Sequence, residues 1–160
     1  MKKRVLFVCL GNICRSPAAE GIFKAMVKAE GLEGQIFVDS AGTGGWHVGD
    51  APDSRMIHHA EKRGYDLRPL EARQFKSPDD FQNFDYILTM DHSNLKNVMA
   101  QDTRGQHREK VRPLVSYCRI HQIEEVPDPY HRDEEGFEHV LDLLEDACSE
   151  LLLKIREELK

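Results

Sequence analysis

The sequence predicts an α/β fold in one domain, an open four-stranded parallel sheet with helices on both faces. Three observations lead there: an apolar run at residues 4–9, further short β-type runs alternating with helical patterns, and a long amphipathic stretch near the C-terminus. Residues 4–9, with Val5, Leu6, Phe7 and Val8, suit a strand buried on both faces of a parallel sheet, ending at Cys9. Ser16-Pro17 then reads as a helix start, Ser as N-cap and Pro in the first helical position, with Ile22, Phe23, Met26 and Val27 as the apolar face. A second strand is expected at Ile36–Val38, a third at Asp85–Met90 and a short last one at Val111–Leu114. Helices are expected at residues 53–63 and 91–100. The clearest helix covers residues 134–158, where Phe137, Val140, Leu141, Leu144, Cys148, Leu151 and Ile155 mark a buried stripe. In such sheets ligands bind beyond the carboxyl ends of the strands, which is where Cys9 falls.

The 160 residues suit a single domain, 1–160, and the sequence contains no internal repeat or low-complexity segment. Gly42-Thr43-Gly44-Gly45 is too short for a linker and reads as an active-site loop. Twenty-two basic against 28 acidic residues give a net charge of −6, so no general affinity for nucleic acid or anionic lipid is expected. An anionic ligand must be caught locally. Met1-Lys2-Lys3-Arg4 precedes an apolar run too short for a secretory signal, since it breaks at Gly11 and Asn12. No stretch is long enough to span a bilayer, and the expected compartment is the cytoplasm. A chain of this size with 40% hydrophobic residues does not need disulfides, so its four cysteines ask for another explanation. The eight histidines show no metal-ligand spacing with them, and neither metal nor cofactor is expected.

Cys9-Leu10-Gly11-Asn12-Ile13-Cys14-Arg15-Ser16 places a thiol, a run of backbone amides, an arginine and a helix N-terminus within one turn of chain. Each part suits a phosphoryl dianion. Amides in a tight loop and the positive end of a helix bind an anion without a metal, and Gly11 supplies backbone freedom. Arg15 offers a planar fork for two phosphate oxygens, which lysine does not. The same field, with a hydrogen bond from Ser16, favours the thiolate of Cys9, whose thiol ordinarily titrates near about 8.5. The plainer reading makes Cys9 a buried strand residue, Arg15 a surface charge and Ser16 only a cap. A Cys and an Arg at this spacing are common by chance, whereas the full octet between strand and helix is not.

V-C-L-G-N-I-C-R-S-P at residues 8–17 resembles the signature of the low-molecular-weight protein tyrosine phosphatases. D-S-A-G-T-G-G-W-H-V-G at 39–49, A-R-Q at 72–74, F-D-Y-I-L-T-M-D at 84–91 and V-P-D-P-Y at 126–130 resemble further family segments in the family's order. The resemblance spans essentially the whole chain. It implies hydrolysis of protein phosphotyrosine through a cysteinyl-phosphate intermediate, with Cys9 as nucleophile, Arg15 as phosphate clamp and Asp128 as general acid, then base. A phenolate leaving group benefits from such a donor, and Pro127 and Pro129 restrict the backbone around Asp128. Read locally, Asp-Pro more commonly marks a turn. The resemblance places Trp46 and Tyr130 at the pocket mouth, where the residues alone also allow scattered packing. It assigns Asn12 and Ser40 to support of the phosphate-binding loop. His131 stands where many members carry another aromatic, and Leu70 where many have histidine, so polar support of the loop is expected to be reduced. Asp91 reads equally as an orienting group or a helix N-cap.

The resemblance also implies that Cys14 forms a disulfide with Cys9 under peroxide, against the alternative of a small apolar filler. Cys118 and Cys148 are expected to be inert, and His58 and His59 to be ordinary helix surface. Phosphotyrosine-containing proteins are the implied partners, with a monomer as the simplest state and weak self-association through Trp46 and Tyr130 open. Three alternatives remain. A protein arginine phosphatase would share the scaffold, but relatives of that type carry threonine where this chain has Ile13. Arsenate reduction coupled to thioredoxin needs relay cysteines, and residues 60–100 have none. A non-catalytic phosphotyrosine-binding module would have no use for a nucleophile aligned with an acid.

Overall fold

The computed structural model describes residues 2–160. Strand β1 (Lys3–Cys9) leads into helix α1 (Arg15–Ala29), followed by β2 (Ile36–Gly42), α2 (Ser54–Lys62) and the short α3 (Asp79–Asn83). The chain continues through β3 (Tyr86–Thr89), α4 (His92–Gln101), β4 (Val111–Pro113) and α5 (Glu134–Leu159). All pairings are parallel and the spatial order is β2-β1-β3-β4. This is the expected four-stranded sheet with helices on both faces.

Alternation along β1 divides the core. Val5, Phe7 and Cys9 pack with Ile22 and Phe23 of α1 and with Phe137, Leu144 and Leu151 of α5. Leu6 and Val8 face the other way, toward Phe75, Phe81, Phe84 and Val98. Each fully buried side chain of this size contributes about 1.5–3 kcal/mol. The chain leaves β1 for β2 on one side and returns to β3 on the other, so the carboxyl end of β1 is the point where strand order reverses. Cys9 lies at that end.

Three expectations need correction here. Strand β2 runs on to Gly42 instead of ending at Val38, because Asp39, Ser40 and Ala41 continue the ladder opposite Leu6, Phe7 and Val8. His59 is not surface: it is buried, stacks on Phe137 and bonds Glu138 across 2.5 Å, while His58 stays exposed. Arg63 joins the same seam, reaching Glu138, Asp142 and Glu145, so α2 is fastened to α5 by charge as well as by packing. Ser16 is not the N-cap either, as the site makes plain. No helix among the described residues is long and apolar enough to cross a membrane.

Candidate active site

The loop after β1 is held from outside by its carbonyls. Cys9 O accepts from Thr43 N–H at 2.9 Å, Leu10 O from Gly44 N–H at 2.9 Å, and Ile13 O from Asp53 N–H at 2.8 Å. A trans peptide puts each following N–H on the opposite side, so the amides of Leu10, Gly11 and Cys14 face away from these supports and toward the concavity. Arg15 opens α1, whose first N–H groups add to the same cradle. Close approach makes this possible: a Cβ on Gly42 would stand 2.8 Å from Leu10 O and 3.1 Å from Asn12 N. Asn12 adopts φ 58°, the left-handed conformation that asparagine tolerates better than most residues.

Helix α1 begins at Arg15 with Cys14 in the capping position, so Ser16 and Pro17 fall inside the first turn. The Ser16 hydroxyl is therefore free for another task, and lies 3.0 Å from Cys9 Sγ. Asn12 Nδ2 donates to Ser16 Oγ at 2.8 Å and to Ser40 Oγ at 2.9 Å, while its Oδ1 accepts from Arg73 N–H at 2.9 Å. Arg73 is fixed in turn by Asp39 and by both oxygens of Asp80. Leu70 packs against the main apolar cluster. The polar links of Asn12 and Ser40 are complete without a histidine there.

Arg15 is only 2% exposed. Its Nη1 donates to Asp91 at 2.7 Å and to Val126 O at 3.0 Å, and its Nη2 lies 3.7 Å from Asp128. Burial works against this charge, but the Cys9 sulfur and the Asp91 carboxylate outweigh it and raise the guanidinium above its ordinary value. Asp91 does both things the sequence allowed: it caps α4 in a capping box with Asn94 and orients Arg15. Asp128 reaches the site from the 126–130 segment and accepts from Tyr130 N–H at 3.1 Å.

A cleft of about 270 Å³ joins these groups, lined by Cys9, Arg15 and the more exposed Asp128 together with Leu10, Gly11, Ile13 and Cys14 of the loop. Trp46 and Tyr130 form its rim, and Trp46 is 73% exposed, so neither is ordinary core. Asn12, Ser16 and Ser40 stand behind the loop, not in the cleft. Sequence reasoning missed His47, which lines the cleft beside Trp46, and Arg55, whose guanidinium lies 5.3 Å from the Tyr130 ring and is paired with Asp53. His131 also lines the cleft, edge-on to Tyr130 at 4.9 Å.

Residues 4–160 match the model of a family described as low molecular weight phosphotyrosine protein phosphatase. The chain belongs to this family. It is a protein-tyrosine phosphatase. A Schizosaccharomyces pombe low molecular weight phosphotyrosine protein phosphatase is 46% identical over 135 residues, 84% of this chain and 85% of the relative. Bacillus subtilis YfkJ, a low molecular weight protein-tyrosine-phosphatase, is 40% identical over 154 residues, 96% of each chain. A crystal structure of an Entamoeba histolytica protein tyrosine phosphatase superposes with a TM-score of 0.94 at 42% identity, covering 99% of this chain and 100% of the other.

The phosphatase holds its four cysteines as free thiols. Burial, with Asp53 and the Cys9 sulfur beside it, pushes the Cys14 thiol well above its ordinary value, so it is protonated at neutral pH. Burial and Asp146 push Cys118 up to about 12, and burial raises Cys148 as well, in keeping with inert thiols.

Proposed function

We propose that the phosphatase works through a cysteinyl-phosphate intermediate. Cys9 Sγ attacks phosphorus while the bond to the tyrosine oxygen breaks, and Asp128 transfers its proton to the departing phenolate. Arg15 and the loop amides bind the non-bridging oxygens, their charge matched to the flattened group in transit. In the second step water attacks the phosphorus of the thiophosphate, Asp128 takes the proton, and phosphate leaves with the Cys9 thiolate restored. The observation that carries this reading is the convergence of a thiol, a buried arginine and a carboxylate on one cleft, with Arg15 Nη2 3.7 Å from Asp128. Trp46 and Tyr130 offer flat surfaces for a phenyl ring at the rim.

In the same proposal residues 1–160 form one catalytic domain, active as a monomer because the groups the reaction uses come from one chain, and the protein works in the cytoplasm. After peroxide converts the Cys9 thiolate to a sulfenic acid, the neighbouring Cys14 thiol displaces water from it to give a disulfide, which a reducing thiol reverses.

Asp128→Ala tests the acid assignment. Its kcat/KM, which reports the first step alone, falls about 10²-fold or more for phenyl phosphate and much less for aryl phosphates whose phenols are strong acids, because those leaving groups need no proton. A loss equal across the series removes Asp128 from this role.

A further inference from the structure

We infer that Glu20 is a positioning residue for the Cys9 nucleophile, acting through Ser40, Asn12 and Ser16. The inference rests on the reading of Cys9 as nucleophile. Glu20 lies in α1 and is 4% exposed, yet no step of the proposed reaction uses it. Its Oε1 accepts from Ser40 Oγ at 2.6 Å and its Oε2 from Lys24 Nζ at 2.5 Å. Ser16, Glu20 and Lys24 are spaced four apart on one face of α1, and Ser40 of β2 and Asn12 of the loop complete the link between Glu20 and Ser16.

The direction of each link from Arg73 through Asn12 and Ser40 to Glu20 follows from its partners. Arg73 N–H can only donate, so it fixes the Asn12 amide with Oδ1 toward it and Nδ2 toward the two serines. Both serine oxygens therefore accept from Asn12. A carboxylate can only accept, so the Ser40 proton points to Glu20. Ser16 keeps one proton, with Cys9 Sγ at 3.0 Å and Ala41 O at the longer distance of 3.4 Å. Directed at sulfur, that proton stabilises the thiolate. Glu20 holds the Ser40 rotamer that receives one Asn12 hydrogen, keeping Asn12 at its left-handed φ with the other hydrogen on Ser16. Hydrogen bonds aligned in one chain also polarise one another.

Stability alone does not account for Glu20. A buried carboxylate whose ammonium partner is half exposed is a poor stabiliser compared with an apolar side chain of similar volume. Leu70, on the main apolar cluster, supplies no polar group to replace it. The ammonium of Lys24 balances the carboxylate charge, which limits its repulsion of a thiolate at Cys9.

The test is alkylation by iodoacetamide, a neutral reagent, with the labelled peptide identified by mass. In Glu20→Leu, labelling of Cys9 at about pH 5.5 slows roughly five- to tenfold while the rate at about pH 9 stays within about twofold, because only the thiolate fraction changes. Glu20→Gln, which keeps an acceptor oxygen for Ser40, recovers most of the rate at the lower pH. Glu20→Leu added to Ser40→Ala causes no further loss, as expected for members of one chain. If Glu20→Leu does not fold, Glu20→Met carries the same expectation. An unchanged pH profile, or losses that add, overturns the role of Glu20 while leaving the nucleophile intact. If wild-type Cys9 reacts no faster than Cys118 at the lower pH, the nucleophile reading itself fails.

Discussion

Cys9→Ser lowers turnover of a phosphotyrosine peptide by about 10⁴-fold or more while phosphate still binds. The replacement changes one atom in a site whose supports lie elsewhere. The carbonyls of Cys9 and Leu10 remain clipped by Thr43 and Gly44, and Arg15 remains anchored to Asp91 and Val126. The anion cradle is therefore kept. What is lost is the nucleophile, because a serine hydroxyl is un-ionised at neutral pH and among the described residues no histidine or lysine bonds the Cys9 sulfur to remove its proton; its polar neighbour is the Ser16 hydroxyl. Calorimetric titration with phosphate shows affinity within about fivefold of wild type, and release of phosphate from the peptide measures the rate. Turnover within tenfold of wild type would exclude Cys9.

Arg15→Lys reduces kcat by about 10³-fold with a much smaller change in the affinity for phosphate. Charge is conserved by this substitution, but geometry is not. The guanidinium spends Nη1 on Asp91 and Val126 O and still presents Nη2 and Nε, whereas an ammonium anchored to Asp91 has no rigid second arm to extend over the cleft. The interaction with the flattened phosphoryl group suffers most, so kcat falls and KM moves little. Steady-state kinetics with an aryl phosphate checks this. A lysine variant within about tenfold of wild-type kcat would show that a point charge suffices and that the fork is unimportant.

Much of the fold was legible because burial writes itself into the sequence as an unbroken apolar run or a helical stripe. Strand β1 and helix α5 carry such signals and lie within a residue or two of where they were expected. The end of β2 carries none: Asp39-Ser40-Ala41-Gly42 is polar and small because it borders the loop after β1, and Gly42 leaves room for Leu10 O and Asn12 N. Helix α3 spans five residues, too few for a periodic pattern.

The site was legible where chemistry requires uncommon neighbours and illegible where an ordinary residue is used in an unusual way. Ser16 before Pro17 has the form of a cap, and only the backbone shows that its hydroxyl turns to sulfur. Glu20 and Lys24 look like a solvated helix pair at i,i+4, but the sheet covers Glu20 and brings Ser40 to it. His59 has the composition of a surface until α5 packs over it. His47 reaches the cleft on the loop after β2, and Arg55 of α2 meets Tyr130 at its edge, neither through a pattern that local sequence records.

The most direct test of the covalent route is to mix the phosphatase with a good aryl phosphate substrate, quench in acid within milliseconds, and weigh the peptide that contains Cys9. The covalent mechanism predicts one added phosphoryl group on that peptide, on sulfur, accumulating further in Asp128→Ala because water must then attack phosphorus without a base. Full turnover with no phosphorylated peptide at any quench time, or with the phosphoryl group on another residue, would contradict it.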